Sequence, residues 1–90
     1  MLKHHVSNQF KKDLKKVRKQ GKDDSKIQWV LEQIVLEKEL PERYRDHALT
    51  GNYVGHRECH IEPGWLLIYY KTHEAVTFVR TGSHSELLNK

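Results

Sequence analysis

The chain has 90 residues, of which 37% are hydrophobic and 31% charged, and its formal net charge is +4. A chain of this length supports one hydrophobic core, so we expect a single domain over residues 1–90, and the balanced composition excludes a disordered or fibrous protein. The longest apolar run, Trp65 to Tyr70, is too short for a membrane-spanning helix, and the single cysteine, Cys59, excludes an intramolecular disulfide, so the cytoplasm is the expected location.

The first part of the chain predicts a strand and a helix. Leu2 to Val6 is a short strand candidate, and Ser7 or Asn8 can cap the following helix by accepting a hydrogen bond from its first turn. A narrow apolar stripe then recurs at helical spacing, formed by Phe10, Leu14 and Val17. Gly21 is expected to end this helix.

A second helix is predicted from the next polar segment up to Pro41. Ser25 and Gln28 fit a capping box at its start, and Pro41 cannot continue a helix. Its apolar face is broad and consists of Ile27, Val30, Leu31, Ile34 and Val35. Trp29 flanks this face and is expected in the core. The two helices should form an antiparallel hairpin.

The second half of the chain changes to the period of β-strands. Val54 to Glu62 alternates, Trp65 to Lys71 is apolar on both faces, and Ala75 to Thr81 alternates again, so the middle strand should be central. Ser83 and Glu86 form a second capping-box pair before a short final helix. The predicted fold class is α+β, with the order β-α-α-β-β-β-α and an antiparallel sheet packed against the helical hairpin.

The alternation also predicts which side chains lie on the sheet face that the helices leave open. Cys59 should point to the core, whereas Glu58 and His60 should point to the open face. Arg57 falls on the apolar side, and we expect it at the frayed start of its strand. Arg80 is expected on the same side of its strand as Phe78 and Val76.

Positive charge is concentrated between Lys11 and Lys26, where eight basic residues accompany three acidic ones. Such a patch attracts polyanions through counterion release, which favours nucleic acid or an acidic protein segment as the partner. A solvated helix face explains the same charges equally well. The candidate RNA-binding lysines are Lys11, Lys12, Lys15, Lys16 and Lys19.

Seven histidines are present. His4, His5 and His73 lie at a terminus or a turn, and the four candidates to weigh beside Arg80 are His47, His56, His60 and His84. A metal site is the first alternative to consider. On a strand, His56 and His60 would stand about 13 Å apart, which is too far to share one zinc ion. With no second cysteine to add a ligand, we expect neither a metal nor another cofactor.

Metal-free acid–base catalysis suits these residues better. Cleavage of RNA at a 2′-hydroxyl requires a base, an acid for the departing 5′-oxygen and positive charge at the phosphorane. Two histidines and Arg80 supply these functions, and the backbone N–H groups of Thr81 to Ser83 add a candidate anion site. The spacing alone slightly favours a plainer interpretation, in which Arg80 forms a surface ion pair and the histidines are solvated.

Three ordered segments resemble the YafQ type of toxin within the RelE/ParE superfamily. They are Tyr44 to Gly51, Gly55 to Tyr69 and Arg80 to His84. These segments contain, in order, an Arg-Asp-His motif, an Arg-x-x-His-x-x-Pro motif that enters an apolar strand, and an Arg-x-Gly-x-His motif. The resemblance extends over essentially the whole chain, including its length and its helical hairpin.

The resemblance implies a RelE-like fold and metal-free cleavage of mRNA in the ribosomal A site, which leaves a cyclic phosphate end. It also implies a cognate antitoxin protein, with mRNA and ribosomal RNA as the other partners. The family's catalytic histidines correspond to His47, His60 and His84, its phosphate-binding arginine to Arg80, and a tryptophan implicated in the site to Trp65. His60 with His47 would then activate the 2′-hydroxyl, and His84 would protonate the leaving oxygen.

Two positions depart from the family pattern, and two other functions stay open. Many relatives have aspartate in place of Gly64 and an aromatic residue in place of Leu88, so the histidines must carry more of the base role, and base stacking near Leu88 is weakened. Gyrase inhibition by binding, as in the ParE branch, would not need the histidines. A non-catalytic basic RNA-binding module would need exposed aromatic residues for stacking.

Overall fold

The computed structural model describes residues 1–88. The elements in chain order are β1 (Lys3–Val6), α1 (Asn8–Lys19), α2 (Asp24–Val35), β2 (His47–Ala48), β3 (Arg57–Glu62), β4 (Trp65–Lys71), β5 (Ala75–Gly82) and α3 (His84–Leu88), with 3-10 turns at Glu42–Tyr44 and Gly51–Tyr53. The predicted α+β class and element order are confirmed, and the two-residue strand β2 is an addition. None of the helices within residues 1–88 is long and apolar enough to cross a membrane.

The five strands form one mixed sheet in the order β1-β5-β4-β3-β2, so the Trp65 strand is central, as predicted. Strands β2 to β5 pair antiparallel, but β1 pairs parallel with β5. The expectation of a fully antiparallel sheet is therefore wrong at this edge. No hairpin joins β1 to β5, because the rest of the chain separates them, and a crossover of that length permits parallel pairing.

The helix ends follow local hydrogen bonding. Ser7 caps α1 as predicted: its Oγ accepts from the Phe10 N–H at 2.9 Å and donates to the Val79 carbonyl at 2.7 Å, which fixes the helix start to β5. The predicted capping box at Ser25 is wrong, because the carboxylate of Asp23 caps α2 and accepts from the Ser25 N–H at 3.0 Å. Helix α2 ends at Val35, several residues before Pro41.

The larger part of the core lies between α1, α2 and one face of the sheet. It contains Phe10, Val17, Ile27, Val30, Ile34, Cys59, Trp65, Leu67, Tyr69, Val76 and Phe78. Cys59 is fully buried here, as expected, and burial raises the pKa of its thiol, which disfavours the reactive thiolate. Trp29 is not core: it is 41% exposed and stacks on Tyr44 with ring centroids 5.5 Å apart, because it lies at the flank of α2.

The opposite face of the sheet is also partly covered. Leu66 and Ile68 of β4 are buried there against Leu87 of α3, with Leu49 and Tyr53 from the segment between β2 and β3 packed around them. The central strand is therefore buried on both faces. This second, smaller core brings α3 and the segment between β2 and β3 over the face on which His60 lies.

A β-bulge changes the predicted face of Arg80. Ile68 pairs with Arg80 and the next residue, Tyr69, pairs with Phe78, so β5 has one extra residue, Val79, at this point. Directly opposed residues point to the same face, and therefore Arg80 and Phe78 point to opposite faces. Simple alternation could not reveal the extra residue.

A buried carboxylate ties α1 to β5 beyond the end of β1. Asp13 accepts from Arg80 Nε at 2.7 Å and Nη2 at 3.2 Å, from the Thr81 N–H at 3.2 Å, and from Gln9 Nε2 at 3.0 Å. Strand β1 pairs with β5 only as far as Phe78, so the Thr81 N–H would otherwise lie at an unpaired strand edge. Asp13 satisfies it and leaves its own charge compensated by Arg80.

We expect Asp13→Asn to lower the free energy of unfolding by about 2 to 4 kcal/mol, because it removes the charge of a buried carboxylate that accepts four hydrogen bonds and leaves the partly buried Arg80 without its anion. Urea unfolding followed by circular dichroism measures this. Asp24→Asn is the matched control, because it breaks the more exposed ion pair with Arg18 and should cost under about 1 kcal/mol. Equal losses in the two variants would contradict the structural role assigned to Asp13.

Candidate functional site

Two neighbouring strands bring His47 and His60 together around a carboxylate. His47 lies in β2 directly opposite Glu58 of β3, and His60 follows two positions later on the same strand and face. Nε2 of His47 is 3.1 Å from Oε2 of Glu58, and Nε2 of His60 is 3.8 Å from the same oxygen. The two imidazole centroids are 6.4 Å apart. This is the densest cluster of proton-transfer groups among the described residues.

The segment that carries His47 is anchored by an ion pair. Arg57, at the start of β3 as expected, donates from Nε to Asp46 at 3.0 Å, and the hydroxyl of Tyr69 donates to the other oxygen of Asp46 at 2.6 Å. Asp46 precedes His47 directly. The backbone of this loop is thereby held to β3 and β4, and His47 Nδ1 lies 2.7 Å from the carbonyl of Arg45.

The surroundings of His60 favour its neutral form. Burial is the main cause that lowers the pKa of His60, the charge of Glu58 opposes this, and the positive charges of Arg45, His47 and His84 lower it further. An imidazole with a lowered pKa is unprotonated at neutral pH and can accept a proton. His60 therefore has the electrostatic setting of a general base.

Helix α3 places His84 within electrostatic range of this cluster. Its capping box is confirmed: the Ser83 N–H donates to Glu86 Oε1 at 3.0 Å, and the Glu86 N–H donates to Ser83 Oγ at 3.2 Å. Glu86 also forms an ion pair with Lys16 of α1. This contact is the main cause that lowers the pKa of Glu86 to about 2, and the hydrogen bonds with Ser83 act in the same direction. The structure thus brings His47 and His60 together, and His84 is near enough for its charge to contribute to the lowered pKa of His60.

Arg80 is less available than the sequence suggested. Two of its nitrogens donate to Asp13, and Tyr53 lies close enough to contribute to the raised pKa of Arg80. Among residues 1–88, no hydrogen bond joins Arg80 to any of the three histidines. Its guanidinium instead lines a groove between α1 and α3 together with Lys12, Lys16 and Gly82.

Arg45 is a cation that the sequence reasoning did not single out. It has a left-handed backbone conformation with φ of 48°, its side chain is exposed, and it lines a pocket with Tyr44, His60 and Pro63. After burial, its positive charge is one of the causes that lower the pKa of His60. The only signal in the sequence was its position two residues before His47 in the first motif.

Trp65 cannot contact RNA as it stands, which corrects its assignment to the binding surface. It is fully buried, and its Nε1 donates to Thr81 Oγ1 at 2.9 Å, while Thr81 Oγ1 donates to the Leu66 carbonyl at 2.8 Å. The indole packs in the larger core because it begins the central strand. Its contribution to the site is to hold the end of β5.

The proposed RNA-binding lysines of α1 are all exposed, namely Lys11, Lys12, Lys15, Lys16 and Lys19. Lys16 forms an ion pair with Glu86.

His56 lies outside β3, against Tyr53 and Tyr70, rather than within a strand with His60 as predicted. Within residues 1–88, no group of three or more histidine, cysteine or acidic side chains is arranged to hold a metal ion.

Comparisons with known proteins agree on one family. A family model described as bacterial toxin of type II toxin–antitoxin system, YafQ, matches residues 2–89. The mRNA interferase toxin YafQ of Escherichia coli K12 is 39% identical over 82 residues, which cover 90% of this chain and 89% of that protein.

Solved structures show the same similarity. The crystal structure of YafQ from Escherichia coli BL21(DE3) has a TM-score of 0.94 at 35% identity, over 98% of this chain and 99% of that one. YafQ in an Escherichia coli DinJ–YafQ complex has a TM-score of 0.92 at 36% identity, with the same coverage. A metal-bound toxin from Helicobacter pylori has a TM-score of 0.90 at 41% identity, over 98% and 100% of the two chains.

We expect His60 to titrate below pH 6.5 in NMR spectra of the free protein, because burial and three nearby cations disfavour its protonation. Arg45→Gln should move this midpoint upward, since it removes one of the cations. A midpoint above 6.5 in the unmodified chain, or one that does not move in Arg45→Gln, would contradict the electrostatic description of the cluster.

Proposed function

The chain belongs to the YafQ family of bacterial type II toxin–antitoxin toxins, and from this we propose that it is an endoribonuclease that cleaves mRNA in the ribosomal A site. The observation that carries the proposal is the cluster of His47, Glu58 and His60, with His84 within electrostatic range. A protein that acted only by binding would not require a buried carboxylate between two imidazoles. Its relative in Escherichia coli is named an mRNA interferase.

The cleavage step is a transesterification. His60, with its lowered pKa, accepts the proton of the 2′-hydroxyl, and the 2′-oxygen forms a bond to phosphorus as the bond to the 5′-oxygen breaks. His84 gives a proton to the departing 5′-oxygen, and a 2′,3′-cyclic phosphate remains on the upstream fragment. No metal ion or other cofactor takes part in these transfers.

In this proposal, two arginines bind phosphate groups of the RNA and offset their negative charge. Arg45 lines the pocket of His60 and presents an exposed guanidinium next to the base. Arg80, fixed by Asp13, lines a groove with Lys12 and Lys16, whose positive charges offset the carboxylates of Asp13 and Glu86 in the same lining and leave this groove as a second place for a phosphate. Gly64, at φ of 81° in the turn between β3 and β4, adds no carboxylate, so the base role falls on histidine.

The ribosome supplies the position of the message. The exposed lysines of α1 provide a basic surface for the ribosomal RNA backbone, and non-specific phosphate contacts of this kind hold a small protein without reading bases. A type II toxin also has an antitoxin protein as its partner. The similarity to YafQ in the DinJ–YafQ complex supports an antitoxin partner for this chain.

His84→Ala and His60→Ala should each lower cleavage of a reporter mRNA by about 100-fold or more in a reconstituted translation system, because each removes a proton-transfer group. Primer extension with and without ribosomes gives the measurement. His73→Ala is the matched control, since His73 lies in the turn before β5, and it should cut normally.

Discrete cuts that need ribosomes and disappear in the two variants are the expected result. A message that stays uncut by the unmodified chain would contradict the nuclease proposal and favour inhibition of gyrase by binding. Cuts that persist in folded His84→Ala at the normal rate would remove His84 from the chemistry.

Reversing the charges of Lys11, Lys12 and Lys15 to Glu should weaken ribosome binding and flatten its salt dependence, by about one unit of log–log slope for each lost phosphate contact. Lys16 is left unchanged because it holds Glu86. The control reverses Lys3, Lys38 and Lys71, which are also exposed and change the net charge equally. An unchanged slope in the α1 variant would contradict the role of this helix.

A further inference from the structure

Glu58 is an unusual residue for a sheet surface. Its side chain is only 4% exposed, yet no lysine or arginine pairs with it among residues 1–88. Its Oε2 faces the Nε2 atoms of His47 and His60, and its Oε1 is buried without a hydrogen-bond partner. A buried carboxylate needs compensation of its charge, and within residues 1–88 the ion-pair partners of Glu58 are the two imidazoles.

The hydrogen-bond geometry of His47 specifies where its protons are. Its Nδ1 lies 2.7 Å from the carbonyl oxygen of Arg45, and a carbonyl can only accept, so Nδ1 carries a hydrogen. Its Nε2 lies 3.1 Å from Glu58 Oε2, and an ionised carboxylate can also only accept. With Glu58 ionised, both contacts are satisfied together when both ring nitrogens carry hydrogen, and His47 is then an imidazolium.

His60 has a different environment, although it approaches the same oxygen. The distance from its Nε2 to Glu58 Oε2 is 3.8 Å, beyond hydrogen-bond range. The charged and titratable groups around the pair are Glu58 on β3, Arg45 and His47 on the loop and strand before it, and His84 on α3. All but Glu58 disfavour a second imidazolium at His60, and burial acts in the same direction.

We propose that Glu58 is a positioning residue that keeps His47 doubly protonated, so that the site presents a cationic imidazole at His47 beside a neutral one at His60. This inference rests on the proposed nuclease function and divides the work of the two histidines. His60 alone accepts the 2′-hydroxyl proton. His47 keeps both its protons and contributes positive charge near the phosphorane, which is where negative charge accumulates during the step.

The test is to record the ring ¹⁵N shifts of His47 and His60 in the full chain at pH 7.5, without RNA or ribosomes. Protonated and bare imidazole nitrogens differ strongly in this spectrum. In the unmodified chain we expect both nitrogens of His47 protonated and His60 with one bare nitrogen. In Glu58→Gln we expect His47 to lose its Nε2 proton, because an amide lacks the negative charge that holds it.

Glu62→Gln is the charge-matched control. It removes one carboxylate from the same strand, where Glu62 pairs with Lys26, and His47 should remain doubly protonated. A neutral His47 in the unmodified chain would overturn the proposal, and this spectrum decides the point even if Glu58→Gln does not fold. An imidazolium that persists in folded Glu58→Gln would also overturn it.

The activity readout is the pH–rate profile of cleavage on ribosomes. In Glu58→Gln the alkaline limb should move to lower pH, with part of the lost rate recovered on acidification, whereas a purely structural defect would lower the rate at all pH values alike. An unshifted limb would remove Glu58 from the positioning of His47. Failure of the unmodified chain to cut RNA would contradict the nuclease proposal, but it would leave the protonation spectrum unaffected.

Discussion

The fold depends on one constraint, which is that strand β4 must be buried on both faces. Trp65 to Tyr69 are all 2% exposed or less, and the helical hairpin covers only one side of them. The other side requires Leu87 from α3 and Leu49 and Tyr53 from the segment after β2. Covering that face places the segment that follows His47, and helix α3 with His84, on the side of the sheet where His60 lies. The hydrophobic requirement of the central strand therefore assembles the histidine cluster.

Two buried carboxylates show how the molecule separates stability from chemistry. Asp13 accepts four hydrogen bonds, so it is a fully satisfied link between α1 and β5. Glu58 is buried to a similar degree, but one of its oxygens has no partner and the other faces imidazoles. Buried polar atoms without a hydrogen-bond partner are rare at structural positions, and they are typical of functional sites. Asp13 thus stabilises the contact between α1 and β5, whereas Glu58, in our proposal, keeps His47 doubly protonated.

Hydrophobic periodicity was enough to predict the helices, the central strand and the α+β class, because these depend on which residues must leave water. The capping box at Ser83 and Glu86 was predictable because its two residues lie three positions apart in the sequence. At the start of α2, the carboxylate of Asp23 is a stronger acceptor than the hydroxyl of Ser25, and Asp23 is the cap. The bulge at Val79 depends on pairing across strands, which spacing along the chain does not contain. The same holds for Glu58, whose importance lies entirely in its neighbours across β2 and β3.

In the proposed reaction, the histidine cluster cleaves RNA by activating the RNA's own 2′-hydroxyl as the nucleophile. The most direct measurement uses a ribosome-bound message with a single 2′-deoxy substitution at the mapped cleavage position, compared with the all-ribose message. We expect the ribose message to be cut to a 2′,3′-cyclic phosphate end and the substituted message to stay intact at that position. A cut at the deoxy position at the same rate would show that the nucleophile is not the 2′-oxygen, and the account of the site would be wrong.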